Sequence, residues 1–234
     1  MACDTHDSPA PGSRASSTLI CRSLDDEEMR QLDRLATTVS LPPGRYVFHE
    51  GDRNDSLYDV AAGALSLSKL LPDGRRQVVG FRFAGDLLGL SAGREHAFSA
   101  EALAPVSLYR FDRRGFAQLS IAHPEVERRL LSLASDELLR AQEHLLILGR
   151  KTATERLASV LIWLVRRIGR QDRDGWRVDL PMTRTDLADY IGLTTETVSR
   201  TFAHLRGEGV IYTYGVRSLR VPRVEDLDSY SGDA

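Results

Sequence analysis

Three side chains towards the C-terminal end of the chain could together recognise a flat hydrogen-bonding surface. Glu196, Ser199 and Arg200 stand at positions i, i+3 and i+4, so on a helix they project from one side of the same two turns. A guanidinium offers a planar fork of donors, a carboxylate only accepts, and a hydroxyl does both. Such groups suit the edges of nucleic-acid bases, where Arg can hold guanine and Glu can accept from the amine of cytosine. The alternative interpretation is an ordinary solvated Glu/Arg pair.

The elements that must position these side chains come from residues 182–211, MTRTDLADYIGLTTETVSRTFAHLRGEGVI. Thr183, followed three residues later by Asp186, predicts a capping box at a helix start. Gly192 falls four residues after Ala188, where a tight turn needs a left-handed residue and a small side chain lets the next helix approach. The buried face of this first helix is predicted at Leu187, Ala188 and Ile191.

Thr194 is the predicted cap of a second helix, whose inward face carries Val198, Phe202 and Leu205. Thr201 is polar where most such helices have an aliphatic residue. The two helices form a predicted helix-turn-helix, in which the second helix enters the major groove of DNA with its N-terminal residues against the bases. Contacts to the phosphate backbone are expected from Thr183, Arg184, Thr194, Thr197 and Arg217.

The elements around the helix-turn-helix follow from apolar patterns and turn residues. A helix is predicted at 153–168, then a polar GRQDRDG loop and a strand in WRVDLPM. Two segments that flank Gly215 predict a hairpin wing, from which Arg217 and Arg220 could reach phosphates or simply face solvent. The acidic segment 224–234 is predicted to be unstructured.

A second strong pattern lies in residues 124–149, where apolar residues recur at alternating spacings of three and four. This is the repeat of a coiled coil, with small alanines between leucines that allow close approach. We predict a long helix that pairs with a second copy about a two-fold axis through Leu131, Ala134, Leu138, Ala141, Leu145 and Leu148. The alternative is a helix buried on its own domain, for which a second apolar face is available at Leu130, Leu133, Leu146 and Ile147.

The charge of the chain is divided unevenly. Of 234 residues, 42% are hydrophobic and 27% charged, and the net charge is −2. Residues 150–223 carry 14 Lys and Arg against 8 Asp and Glu, whereas the rest carries 17 against 25. The basic part contains the predicted helix-turn-helix, as expected for a domain that faces phosphates. No signal peptide or membrane-length apolar run is visible, so a cytoplasmic location is expected.

The first half of the chain predicts a small β-barrel or roll. Between residues 39 and 111, short β segments such as RYVFHEGD and ALSLSKLL alternate with Gly-containing turns. Ser23 and Asp26 predict a capped helix that runs to about residue 36. The predicted fold class is α+β, comprising a disordered tail (1–18), a β-roll domain (19–123), a dimerisation helix (124–149), a winged helix-turn-helix domain (150–223) and a second tail (224–234).

Motifs spread over residues 24–221 resemble the CRP/FNR superfamily of bacterial regulators, and within it the FixK group. They are GRRQVV, FAGDLLGL, HAFSAEA, RAQEHLL and LPMTRTDLADYIGLTTETVSR. The resemblance implies that the roll is a double-stranded β-helix of the cyclic-nucleotide-binding type. It also implies a homodimer that reads a palindrome like TTGAT-N4-ATCAA, with Arg200 and Glu196 on the central G·C pair of each half-site.

The same resemblance implies a transcription activator that contacts RNA polymerase. The contact would involve the hairpin at residues 72–76 and exposed loops of the DNA-binding domain. The implied targets are genes for microaerobic or anaerobic respiration or for nitrogen fixation. The activity of such a protein could be set by its abundance rather than by a ligand.

No cyclic nucleotide is expected, because the phosphate clamp of the nucleotide-binding members is missing. Those members carry a Glu soon after a glycine and an Arg-Ser pair later, whereas the matching run here is GDLLG at residues 85–89, and Phe98 occupies the Arg position before Ser99. Asp86 and Ser99 are interpreted as structural residues.

No iron–sulfur cluster or metal is expected either. The oxygen-sensing members use four cysteines per chain for a [4Fe–4S] cube. This chain has only Cys3 and Cys21, and Tyr109 stands near the place of the distant ligand. The histidines, His49, His96 and His144 among them, show no arrangement typical of haem ligands.

Two alternatives stay open on sequence alone. Haem or another small molecule could bind in the roll and control a regulator of the same family. An enzyme is less favoured, because the chain has no Gly-rich phosphate loop, metal-ligand cluster or nucleophile motif.

Overall fold

The structure is a computed structural model that describes residues 26–91 and 93–232. The predicted N-terminal tail, the cap at Ser23 and both cysteines lie outside the described residues. Within those residues, no helix is long and apolar enough to cross a membrane.

The first half of the chain is a roll of short antiparallel strands, as the spacing of turns predicts. The strands are β1 (Ala36–Leu41), β2 (Tyr46–Phe48), β3 (Ser56–Ala62), β4 (Ala64–Leu70), β5 (Arg76–Phe83), β6 (Leu87–Leu88), β7 (Ser99–Ala102) and β8 (Val106–Asp112). They form two four-stranded sheets with the orders β1-β8-β3-β6 and β2-β7-β4-β5. Side chains from both sheets fill the roll, and Leu65 and Leu108 are fully buried there.

Gly63 allows β3 to turn directly into β4. Its φ is +92°, and a Cβ atom at this position would lie 2.3 Å from the carbonyl oxygen of Pro105. Only glycine fits both conditions. The two sheets of the roll are therefore joined at a point where no side chain can stand.

Three helices flank the roll: α1 (Asp26–Leu35), α2 (Arg113–Ala122) and α3 (Pro124–Arg150). The 27 residues of α3 make a rod about 40 Å long. The helices pack on the first sheet through a cluster that includes Leu32, Phe111, Phe116, Val126 and Leu133. The expectation that Leu146 shares the buried face of α3 is wrong, since this side chain is 63% exposed.

The C-terminal domain is a winged helix-turn-helix. Its elements are α4 (Ala153–Ile168), β9 (Arg170–Asp172), β10 (Gly175–Asp179), α5 (Arg184–Ile191), α6 (Thr195–Gly207), β11 (Tyr212–Tyr214), β12 (Ser218–Val221) and α7 (Val224–Asp228). The strands form one antiparallel sheet in the order β11-β12-β10-β9. A capping box between Thr152 and Glu155 starts α4, immediately after the extended backbone of Lys151 that ends α3.

Two local expectations about this domain are wrong. The segment expected to be a polar loop contains β9, because Arg170 to Asp172 pair with β10 despite their polar side chains. The C-terminal segment expected to be unstructured contains α7, which packs on α4 and buries Leu227 completely. The acidic residues of α7 indicated a solvated tail, but one well-placed leucine anchors it.

Gly192→Ala should lower the free energy of unfolding by about 1–2 kcal/mol, because residue 192 has a φ of +65° that strains any L side chain. The added Cβ would meet only ordinary contacts of 3.5 Å, so backbone strain is the whole effect. Denaturant unfolding followed by circular dichroism measures it.

Gly207→Ala in α6 is the matched control, because a Cβ there meets nothing within 4 Å. This change should leave stability unchanged or raise it by up to about 1 kcal/mol. Equal losses from both substitutions would contradict the role assigned to the left-handed turn.

Candidate nucleic-acid interface

Both helices of the helix-turn-helix begin with side chains that satisfy their free amide groups. The amide of Thr183 donates to Asp186 Oδ2 at 2.7 Å, and the amide of Asp186 donates to Thr183 Oγ1 at 3.1 Å. At the start of α6, the amide of Thr197 donates to Thr194 Oγ1 at 3.2 Å. Between the helices, Gly192 is left-handed as predicted. The sequence therefore specifies the two helices and their turn locally.

The inward face of α6 is fixed by three buried apolar residues. Val198 and Leu205 are fully buried and Phe202 is 4% exposed. Thr201, the polar position, is also buried, and its hydroxyl donates to the carbonyl oxygen of Thr197 at 2.9 Å. This bond within the helix satisfies the hydroxyl, so the polar residue does not disturb the packing.

The outward face of α6 presents Glu196, Ser199 and Arg200 to solvent. The Glu196 and Arg200 side chains are 80% and 71% exposed, and Arg200 Nη1 lies 3.9 Å from Glu196 Oε1. The Ser199 hydroxyl donates to the carbonyl oxygen of Thr195 at 2.8 Å, which leaves its oxygen free to accept. The long, exposed ion pair holds neither charged group firmly. All three are available to a partner that replaces water.

The predicted backbone-contact residues fall into two groups. Thr183, Thr194 and Arg217 are exposed, and Thr197 is half-buried with its hydroxyl 2.9 Å from that of Thr194. Arg184 is different. Its guanidinium lies over the ring of Phe202, with Cζ 2.9 Å from the ring centre.

Arg184 points into the helix-turn-helix rather than away from it. Burial lowers the pKa of its guanidinium to about 10, and Nη1 is buried without a hydrogen-bond partner among the described residues. Its placement therefore does not favour the expected phosphate contact. A local pattern could not reveal this, because the first turn of a helix usually exposes its charged side chains, and the partner is 18 residues away.

The predicted pairing face of α3 is an exposed apolar stripe. Leu131, Leu138 and Leu145 are 68%, 61% and 66% exposed, and the two alanines between them are exposed as well. Leu148, the last predicted member, is half-buried and packs near Gly192 of its own helix-turn-helix.

Sequence reasoning missed a set of contacts that joins the roll to α5. Arg76 at the start of β5 pairs with Asp186 and Asp189 of α5, and Tyr190 stacks on His144 of α3. Arg76 and Asp186 lie 110 positions apart in the chain. No local pattern of residues could have indicated this pairing.

The roll contains a cavity of about 200 Å³ next to α3. Phe48, His96 and Phe98 contribute aromatic walls, and Arg82 enters from β5. The charge of Arg82 is engaged by Glu137 of α3 through an ion pair. Asp86 accepts from the amide of Phe83 at 2.9 Å and pairs with Arg167 of α4 at 2.9 Å, which is a structural role.

Comparisons with known proteins agree with this geometry. Residues 38–123 match the family described as cyclic nucleotide-binding domain, and residues 155–230 match the Crp-like helix-turn-helix domain. The second match includes α7, as the structure does. A roll of this kind joined to a winged helix-turn-helix defines a DNA-binding transcription regulator.

The chain belongs to the CRP/FNR superfamily of transcription regulators, and within it to the FixK-like group. It is 42% identical over 211 residues to the nitrogen fixation regulation protein FixK of Bradyrhizobium diazoefficiens, covering 89% of each chain. It is 40% identical to the transcriptional activatory protein AadR of Rhodopseudomonas palustris, over 89% of this chain and 88% of the other. Its relatives are transcription regulators rather than enzymes.

A solved structure of FixK2 from Bradyrhizobium japonicum has the same fold. It matches with a TM-score of 0.79 and 35% sequence identity, and the match covers 85% of this chain and 98% of that one. The predicted α+β fold, with its roll, long helix and winged helix-turn-helix, is therefore confirmed.

Arg184→Met should leave the salt dependence of DNA affinity unchanged, because methionine keeps the apolar contact with Phe202 and the guanidinium faces the protein. Arg217→Met at the exposed wing turn should reduce the slope of log affinity against log salt by about 0.9 per bound protomer, the value for one lost phosphate contact. Fluorescence anisotropy titrations at several salt concentrations measure both slopes. A reduction of the same size for Arg184→Met would mean that this side chain leaves Phe202 to reach DNA.

Proposed function

We propose that the protein is a homodimeric transcription activator that reads a TTGAT-N4-ATCAA-like palindrome without a cyclic nucleotide or an iron–sulfur cluster. The observation that carries the proposal is the exposed trio of Glu196, Ser199 and Arg200 on a capped, firmly packed helix. By likeness to the nitrogen fixation regulation protein FixK, we expect its targets to include genes for nitrogen fixation. The motifs of the sequence also imply genes for microaerobic or anaerobic respiration. Because its proposed partner is promoter DNA, we expect the protein to act in the cytoplasm.

Direct base reading follows from the chemistry of the trio. Arg200 donates two hydrogen bonds to the O6 and N7 atoms of guanine, and Glu196 accepts from the N4 amine of cytosine. Because the two side chains are neighbours on one helix face, both can address a single G·C pair. The Ser199 oxygen can accept from a base amine, or its hydroxyl can turn away from Thr195 and donate to a phosphate oxygen. Thr183, Thr194, Thr197 and Arg217 fix the register by contacts to the backbone.

A homodimer follows from the apolar stripe on α3. Leu131, Leu138 and Leu145 expose most of their surface, which is costly for aliphatic side chains that recur along one face. Packing against a second copy about a two-fold axis covers them, with Ala134 and Ala141 at the points of close approach. The same axis places the two copies of α6, the recognition helix of each protomer, one DNA turn apart, as a palindrome requires.

Activation requires a surface for RNA polymerase. The tip of the β4–β5 hairpin is available for this, because Asp73 and Arg75 are exposed and pair with each other. Arg76, at the base of the same hairpin, is turned towards α5 instead.

Independence from cyclic nucleotides is supported by the contents of the roll. The Arg82 guanidinium inside the cavity is neutralised by Glu137, so it is a poor partner for a phosphate. Phe98 lines the cavity where nucleotide-binding relatives are expected to place an arginine. The second candidate is a regulator controlled by an uncharged or aromatic effector, which the aromatic walls of this cavity favour. Purified protein that is coloured, or stabilised by a compound, would support it.

The decisive experiment is a gel-shift titration of untreated protein in air, without added cofactor and at fixed salt, on a TTGAT-N4-ATCAA duplex. The comparison duplex has the G·C pair of each half-site replaced. Tight binding to the intact palindrome, without tight binding to the comparison duplex, supports the proposal. Specific binding that appears only after addition of an effector would favour the second candidate, and no specific binding under either condition would reject both.

Arg200→Ala should cost about 1–3 kcal/mol of binding free energy per half-site of the intact palindrome and relax the preference for guanine at that position, because its two hydrogen bonds are lost. Arg206→Ala is the matched control, since Arg206 is an exposed arginine in the last turn of the same helix, beyond the N-terminal turns that carry the trio. The same titration measures both variants. A uniform loss on every duplex would argue against direct base reading by Arg200.

Leu138→Glu should convert the dimer into monomers, because a carboxylate in the apolar seam would be buried without a partner. Sedimentation velocity at micromolar concentration measures the change. The control is Ile121→Glu on α2, an apolar residue that is 82% exposed and outside the stripe. A Leu138→Glu protein that stays dimeric would show that another face of α3 forms the interface.

A further inference from the structure

An arginine of the roll, Arg76, pairs with two aspartates of the first helix of the helix-turn-helix. Arg76 Nε donates to Asp189 Oδ2 at 2.9 Å, and the same guanidinium forms an ion pair with Asp186. Its third nitrogen lies 3.5 Å from Glu101 Oε2 on β7. Beside it, the amide nitrogen of the Gln77 side chain donates to the backbone carbonyl of Asp189. Two consecutive residues of β5 thus grip one turn of α5.

The ion cluster is partly shielded from water and keeps its charge. The Asp186 side chain is 8% exposed and the Arg76 side chain 29%. Burial opposes ionisation of Asp186, but hydrogen bonds from Thr183 and the Arg76 guanidinium outweigh it and lower its pKa. Burial likewise opposes the charge of Arg76, but its two aspartate partners raise its pKa overall. The contact therefore stays ionised around neutral pH.

An aromatic contact next to the ion cluster joins the same helix to the pairing helix. The Tyr190 ring stacks on His144 of α3, with ring centres 4.0 Å apart, and meets Phe81 of β5 edge-on at 5.0 Å. Asp186, Asp189 and Tyr190 stand at i, i+3 and i+4, so they form one face of α5. That face is committed to the roll and to α3.

The contact leaves the DNA-reading surface free. Glu196 and Arg200 on α6 are 80% and 71% exposed while α5 is held. The held arrangement therefore orients the recognition helix without covering it. The backbone link between α3 and α4 at Lys151 and Thr152 is extended and short, so the side-chain contacts of α5 with the roll and α3 help to orient the DNA-binding domain.

We propose that Arg76 is a positioning residue that sets the spacing of the two half-sites the dimer can read. This inference rests on the proposed dimeric reading of a palindrome. In such a dimer, α3 defines the two-fold axis, and the grip of β5 on α5 fixes each recognition helix relative to it. One added base pair moves a half-site by about 3.4 Å and a tenth of a turn. If the DNA-binding domain is held firmly, the dimer binds such a site weakly. If the domain can rotate about the link, the dimer still binds it.

The test measures affinity for palindromes with spacers of three to six base pairs. Wild-type protein should bind the four-pair spacer best. Arg76→Ala and Asp189→Ala should each reduce the preference for that spacer by about 5-fold or more, while discrimination at the G·C pair is retained. Asp189 is chosen rather than Asp186 because it takes no part in the capping box that starts α5.

Arg53→Ala is the matched control, because Arg53 belongs to the same roll, is 82% exposed and forms its ion pair with Asp55 within the roll. It should keep the wild-type spacer profile. Arg76→Lys, which retains one charge but not the fork of donors, should fall between the wild type and Arg76→Ala. Melting curves identify a variant that fails to fold, and the Asp189 and Lys variants then carry the test.

Several outcomes would overturn the inference. Unchanged spacer profiles for folded Arg76→Ala and Asp189→Ala proteins would show that the contact does not set the spacing. Tighter binding of these variants to all spacers would show that it restrains binding instead. Failure of the wild-type protein to bind any palindrome would reject the proposed function rather than the role of Arg76.

Discussion

The carboxylate of Asp186 is the group on which the arrangement of the DNA-binding domain depends. One of its oxygens accepts hydrogen bonds from the amide and the hydroxyl of Thr183, and the other pairs with Arg76 of the roll. A carboxylate this deeply buried is stable only while its partners remain, because removal of one partner leaves an uncompensated buried charge. The residue that starts the first helix of the helix-turn-helix thus also fixes where that helix stands. Helix formation and domain orientation share one interaction.

The domain uses arginine for opposite purposes on its two sides. Arg200 is mostly exposed and loosely paired, so its donors can exchange water for a base. Arg184 lies over Phe202 and has a lowered pKa, so it works as packing material beneath the recognition helix. Arg220 is held by Asp172 and Asp174 of the β9–β10 hairpin. The positive charge of the domain is therefore an imperfect guide to its contacts, since each guanidinium is committed by its neighbours.

Features that depend on residues a few positions apart could be predicted from the sequence. Features that depend on contacts between distant parts of the chain could not. The capping box at Thr183, the left-handed Gly192 and the alternating spacing along α3 each involve residues a few positions apart, and the structure has the capping box, the left-handed turn and the long helix. The grip of Arg76 on α5 joins residues more than a hundred positions apart. The burial of Leu227 in α7 depends on a surface that α4 supplies only once folded. The outward placement of Glu196, Ser199 and Arg200 on α6 could be predicted, but the contacts that orient the helix-turn-helix could not.

The grip of β5 on α5 also limits how such proteins can be recombined. Arg76 and Asp189 lie on opposite sides of the short link at Lys151, which looks like a natural boundary for exchanging DNA-binding domains between relatives. A hybrid joined at this link would place Asp186 and Asp189 of one protein against the β5 strand of another, whose residues match a different α5. The exchangeable unit is therefore the winged domain together with the strand that holds it. Exchange of the winged domain without the β5 strand transfers the side chains proposed to contact bases. It does not transfer the orientation in which those side chains meet the DNA.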